Sequence, residues 1–428
     1  MPRAYLRIER GELISVWGDA TVQVTIPKKV TKIGAYAFKN CFFLEKIIIP
    51  DTVTSIEEGA FCNCSSIKSI FIPDSVTKIG SSAFKGCTFL KSVRLPNGLT
   101  SIEDKTFCMC SFLKNIFIPD GLTNIGNSAF SYCRSLINIS IPDSVINIGA
   151  GAFYECRLLK NISIPSGVTK IERATFADCA SLKSVDIPDT VTSIGEDAFE
   201  RCSSLKDICI PDSVTNIEKS AFYNCTSLKK ITIPENVSTL SEHVFDECYS
   251  LSSVTMPNTV TKIEGSAFSR CFSLKSVTLP SNLKYIGDFA FSGCRSLSKI
   301  IIPNDVTNIG HHAFFGCKML KSPTSNCKTF RIEDGKFVHG DCIFTPNNWS
   351  DDKKCKNLLR DGYSFCTKLH DVFCLFGGEI DKRFVVYECE IGEKVVQDIG
   401  GLCATNRIKP VKRLYREDII KLLNSAYT

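Results

Sequence analysis

No apolar run in the sequence approaches the roughly 20 residues that a membrane-spanning helix needs, and no block of like charge interrupts it. The first absence excludes helical insertion into a bilayer. The second leaves no strong field for nucleic acid or anionic lipid, because 51 basic residues stand against 45 acidic ones for a net charge of +6. Residues 321–428 share the balance, with 18 Lys and Arg against 15 Asp and Glu. The opening residues, Met1 to Arg10, lack the apolar stretch and small-residue cleavage site of a secretory signal. A cytoplasmic chain is expected as encoded, with a phage-encoded or non-classically exported setting as the alternative.

What the chain has is a beat. Proline recurs every 23 residues from Pro27 to Pro303, cysteine keeps the same period from Cys41 to Cys317, and phenylalanine from Phe38 to Phe314. A strict period of this length means a solenoid, in which each repeat contacts only its neighbours. Cysteine is abundant, at 23 residues, which in a small secreted chain would suggest disulfides. Thirteen of them share one repeat position and the total is odd, so they read as small buried hydrophobes.

Residues 205–227 serve as a type unit. Leu205, Ile208 and Ile210 alternate as the inward side of a short strand, with Asp207 and Cys209 on the other face. Pro211 ends the ladder, having no N–H to donate. Asp, Asn or Ser usually follows and suits a turn. Val214 and Ile217 form a second extended stretch on the opposite wall. Position 218 is Gly in seven coils and Glu in five, so no positive φ is required there. Ala221 and Phe222 then turn inward on a short helical or 3₁₀ turn, with Phe filling the coil.

This grammar, Leu-x-x-Ile-x-Ile-Pro-x-x-Val-x-x-Ile-x-x-x-Ala-Phe-x-x-Cys, resembles the BspA-type leucine-rich repeat over residues 22–320. The fold class expected is a leucine-rich repeat solenoid, mainly β, with parallel strands on one face and short extended and 3₁₀ or helical turns on the other. A small α+β C-terminal domain or cap, residues 321–428, is expected to follow. Residues 1–21 resemble a divergent capping coil, with Val16 and Trp17 expected to cover the open end of the core.

The constant columns are scaffold, so specificity falls to the variable ones. The outward mid-strand column reads Thr25, Ile48, Phe71, Arg94, Phe117, Ser140, Ser163, Asp186, Cys209, Thr232, Thr255, Thr278, Ile301. Its later members are mostly small and polar. The position two after the ladder cysteine is Ser in eight coils but Phe43, Phe89 and Phe112 in three of the first four. Together Phe43, Ile48, Phe71, Phe89, Arg94, Phe112 and Phe117 form a candidate partner-binding patch, aromatic and guanidinium-bearing as interface hot spots are.

Other features fall short of sites. Cys62 and Cys108 add a second thiol beside ladder cysteines Cys64 and Cys110, without companion ligands for zinc. Asp186 and Asp207 neighbour each other on the strand face, but calcium takes six to eight oxygens. His311 and His312 read as a surface turn. No metal, cofactor or catalytic residue is expected.

After Leu320 the period stops. A strand pair is expected around Asp334 and Gly335, a loop near Pro346–Lys356, an amphipathic turn at Lys368–Phe376, strands at Arg383–Glu390 and Arg407–Leu414, and a closing helix at Arg416–Leu423. Residues 362–414 resemble a domain of unknown function in tailed-phage and gut-bacterial proteins, through Gly362 to Cys366, Asp371 to Phe373, Arg383 to Glu390 and Ala404 to Lys409. Cys366 and His370 could pair on one helical turn but lack a third, orienting group. The seven cysteines here contain no Cys-x-x-Cys pair.

The leading expectation is a non-enzymatic, monomeric recognition protein whose curved sheet face binds a protein or glycan. The resemblance adds adhesion and phage-associated roles as contexts. The alternative is a structural spacer that positions an active C-terminal module.

Overall fold

The computed structural model describes residues 5–17, 22–303 and 305–320, and after them only the backbone of short strands between 331 and 414. It divides into two compact units, Met1–Val237 with His243–Leu251, and Ser238–Glu242 with Ser252–Thr428. Up to Leu320 both are built of 23-residue solenoid turns, about 13 in all.

In the first unit all turns but the one at 207–209 begin with a three-residue strand such as Lys46–Ile48, Ser69–Phe71, Ser92–Arg94 or Asn115–Phe117. The last three pair in parallel with one another, residue for residue 23 positions apart. Only the middle residue of each is buried, as period-two alternation dictates. A second wall carries two-residue strands, such as Lys78–Ile79, whose isoleucine points into the core. The second unit repeats both walls with Ser276–Thr278 against Lys299–Ile301 and Lys262–Ile263 against Tyr285–Ile286.

The third wall differs from expectation. Among the described residues it contains no helix. In a 3₁₀ helix successive N–H groups would all bond three residues back. Here only alternate ones do, as Ala221 N–H to Glu218, Tyr223 to Ser220 and Cys225 to Phe222. The N–H groups between them reach the next coil, Phe222 to the Val244 carbonyl and Asn224 to Asp246. Two residues of every coil take left-handed φ to make this possible, at the positions of Ser220 and Asn224. Gly59, Gly86, Gly151, Gly293 and Gly316 fill five of these places; the rest carry side chains at φ from +51° to +63°. Each such residue costs about 1–2 kcal/mol, and the cross-coil hydrogen bonds and packing hold them there.

The glycines at the position of residue 218 serve another purpose. Gly80 has no left-handed φ, but a Cβ there would lie 2.6 Å from the backbone nitrogen of Glu58 in the preceding coil. Gly80→Ala is expected to lower stability by about 1–3 kcal/mol through overpacking, read as a lower urea midpoint with unchanged slope.

At the centre of the coils twelve phenylalanines, Phe38 to Phe291, are fully buried. In the first unit their rings stack from Phe38 to Phe245 with centroids 4.9–5.6 Å apart. The second unit continues the pattern with Phe268, Phe291 and Phe314 at 5.2 and 5.4 Å. Beside this ladder the cysteines are more than small hydrophobes. The Cys87 thiol donates to the Phe61 carbonyl at 3.2 Å, Cys156 to Phe130 and Cys225 to Phe199 at the same distance. Each carbonyl thereby accepts two bonds, since its own coil's cysteine N–H also donates to it (Cys64 N–H to Phe61). Alanine would fit the space and leave no donor.

An antiparallel hairpin, Tyr5–Glu9 with Glu12–Trp17, precedes the first coil and turns at Arg10 and Gly11, both at positive φ. Glu12 and Leu13 pair with Lys32 and Ile33. Leu13 is fully buried and closes this layer, whereas the expected cover, Trp17, is half exposed and stacks on Tyr5 at 6.2 Å. Val16 is half-buried and donates its N–H to the Ala37 carbonyl.

Beyond Leu320 the backbone shows the expected hairpin, Arg331–Glu333 with Lys336–Val338, and an antiparallel pair, Val385–Ile391 with Ile408–Leu414. Two further pairings, Tyr363–Ser364 with Val385–Val386 and Val396–Asp398 with Leu402–Ala404, were not anticipated. The expected loop, amphipathic turn and closing helix lie outside the described residues, as does the Cys366 and His370 pairing. Among the described residues no helix is long and apolar enough to cross a membrane.

Candidate functional site

Alternation along the strands sends the mid-strand column outward, and four consecutive coils place Ile48, Phe71, Arg94 and Phe117 there. All four are exposed, Phe71 to 59% and Phe117 to 63%. Phe71 and Phe117 are the register partners of Arg94 on either side. The guanidinium carbon of Arg94 stands 5.6 Å from the Phe71 ring centroid, within cation–π range.

Sequence reading missed what holds that arginine. Asp74, in the turn after Pro73, accepts from Arg94 at 3.1 Å and from the Asn97 backbone N–H at 3.1 Å. Those bonds, the Asn97 N–H first and the guanidinium second, hold the Asp74 carboxyl below its ordinary range. The result is a charge-matched, hydrogen-bonded arginine whose strand neighbours on either side are exposed phenylalanines. Asp74 sits in a column where Asp, Asn and Ser recur after proline, so its sequence signal is that of an ordinary turn residue.

Phe43, Phe89 and Phe112 are exposed too, in the turn that enters the strand. Phe89 and Phe112 stack with centroids 5.1 Å apart. Phe42 extends this rim and was not singled out from the sequence. Among the described residues no ring contact joins the rim to Phe71 or Phe117. The seven predicted residues thus form a central strip and a rim along the same coils.

The minor features resolve individually. Cys62 and Cys108 are buried, and burial pushes the Cys108 thiol up. Asp186 accepts from Ser163 at 3.3 Å, and the residues at 207–209 form no strand. His312 packs between Phe289 and Phe315 on the turn wall, while His311 donates its backbone N–H to Asp288. Among the described residues no group of three or more His, Cys, Asp or Glu gathers to hold a metal ion.

Coils of 23 residues, stacked through parallel strands with this inward Leu and Ile pattern, define a leucine-rich repeat protein. A family model described as the BspA type leucine rich repeat region matches residues 19–137, 123–252 and 238–370, and the chain belongs to that family. A leucine-rich repeat protein from Bacteroides ovatus is 34% identical, with 75% of this chain and 92% of that one covered and a TM-score of 0.62. A leucine rich cell surface protein from Faecalibacterium prausnitzii is 30% identical over 74% of this chain and 91% of its own, with a TM-score of 0.40. Among curated proteins there is no match. The expected likeness of residues 362–414 to a phage and gut-bacterial domain finds no support in these comparisons, and most of that segment lies outside the described residues.

Proposed function

We propose that the chain is a non-enzymatic recognition protein that binds another protein through the outward face of strands Lys46–Ile48 to Asn115–Phe117. One observation carries this reading. Arg94 is held between exposed Phe71 and Phe117 with its charge already matched by Asp74. A partner covering the strip therefore buries a paired charge and two aromatic faces, which avoids the heavy desolvation cost of a lone cation. Aromatic residues and arginine dominate protein–protein hot spots. Serine and threonine on the later strands supply no such anchor. The Phe89–Phe112 rim borders the strip along the same coils and excludes water from its edge.

The test is capture of partners by the intact chain and by a Phe71→Ala/Phe117→Ala variant. Both phenylalanines are exposed, so stability is expected to change by no more than about 0.5 kcal/mol each while capture is lost. A large fall in stability with capture intact would contradict the reading. Retention of a glycan in place of a protein would replace the partner class.

A further inference from the structure

Cys41 differs from the other ladder cysteines. It is half-buried, whereas the twelve from Cys64 to Cys317 are buried. The Cys64 thiol in the next coil donates to the Phe38 carbonyl at 3.0 Å, and Cys41 donates its own N–H to the same carbonyl at 3.0 Å, so the two cysteines meet at one acceptor. Phe38 N–H to Ala60 and Asn40 N–H to Cys62 lock the register of the two coils. Neighbouring parallel strands stand about 4.8 Å apart, inside the Cα separation of roughly 4.4–6.8 Å that a disulfide spans.

We propose that Cys41 and Cys64 form an oxidisable pair, in which Cys41 attacks hydrogen peroxide and Cys64 resolves the product into a disulfide that staples the first two coils. The neighbouring Cys64 thiol lowers the Cys41 pKa against the opposing effect of burial, and the neighbouring Cys41, followed by burial, raises that of Cys64. The thiolate therefore forms on the accessible sulfur. Cys41 attacks the peroxide, the O–O bond breaks, and the departing hydroxide takes up a proton as water. This leaves a sulfenic acid. The Cys64 sulfur then displaces the sulfenic oxygen, which leaves as a second water with the Cys64 proton. Two thiols and one peroxide give one disulfide and two waters. Phe38 loses its thiol donor but keeps the Cys41 N–H, so no carbonyl is orphaned. The deeper thiols, fully buried with pKa values raised chiefly by burial, stay out of reach of the oxidant.

The full chain is treated with hydrogen peroxide while folded, its free thiols are blocked, and its peptides are mapped by mass. A Cys41–Cys64 linked peptide is expected, two hydrogens lighter than its parts and released by a reductant. The tryptic fragment carrying Cys64 also contains Cys62, so a Cys62→Ser variant is mapped alongside and should keep the link. In Cys64→Ala, Cys41 should accumulate as sulfenic and sulfinic acid. Cys41 remaining a free thiol under peroxide that oxidises the exposed Cys209 would overturn the proposal. So would a link lost in Cys62→Ser, or one joining Cys41 to a cysteine beyond residue 320.

Discussion

Raising the pH from 8 through about 10 is expected to unfold the repeat array in a steep transition, because its core is lined with thiols that cannot ionise in place. Burial raises the pKa of Cys87, Cys110, Cys133, Cys156, Cys179, Cys202 and Cys294, and pushes that of Cys225 up to about 12. Cys64 joins them, held up first by the neighbouring Cys41 and then by burial. An unfolded thiol titrates near 8.5. Below that value both states hold the proton and the stability is intact. Above it the unfolded chain sheds protons that the folded chain keeps, and stability falls until the folded pKa is reached. Each thiol then costs about 1.4 kcal/mol per pH unit. Nine of them one unit above the unfolded value cost on the order of 10 kcal/mol, comparable with the whole stability of a typical domain. Far-ultraviolet circular dichroism against pH, with thiolate absorbance followed in parallel, checks this. The two signals should change together, and a solenoid signal that survives past about pH 11 would contradict it.

Phe153→Ala is expected to be the most damaging single substitution type in the array. Phe153 is fully buried between Phe130 and Phe176, with ring centroids 5.5 and 5.6 Å away and planes within 7° of parallel. Truncating a buried phenylalanine costs about 3–5 kcal/mol. The value should fall at the upper end, because two ring pairs worth roughly 0.5–1.5 kcal/mol each go with it. A solenoid turn contacts only its neighbours, so the loss should appear as local opening of the coils on either side. Urea unfolding with hydrogen exchange resolves this. Equal losses for Phe153→Ala and for the exposed Phe117→Ala would show that the ladder does not carry the core.

Period, proline and alternation made much of this legible from the residues alone. The buried middle residue of each strand and the inward Phe column are where the pattern puts them, since both follow from side-chain size and from faces that alternate by two. The hydrogen-bonding of the third wall was not legible. Its left-handed positions are occupied by Tyr36, Lys105, Met109, Phe289 and other types that give no sign of positive φ. They adopt it because the next coil offers carbonyls at the required spacing, a tertiary effect with no local signature. The thiol donors were hidden for a related reason, as cysteine in a buried column looks apolar until the carbonyl it faces is seen. Alternation put Phe71, Arg94 and Phe117 on the outward strand face, where they are exposed, while Asp74 stayed concealed among turn residues that share its chemistry.

Hydroxyl-radical footprinting of the chain with its captured partner tests the recognition surface most directly, because phenylalanine side chains report their own exposure. Phe71 and Phe117 should lose reactivity on binding, with a smaller loss at Phe89 and Phe112, while Phe289 and Phe315, also exposed but on the turn wall, stay unchanged. Protection confined to Phe289 and Phe315 or to residues 321–428, with Phe71 and Phe117 still reactive, would contradict the account.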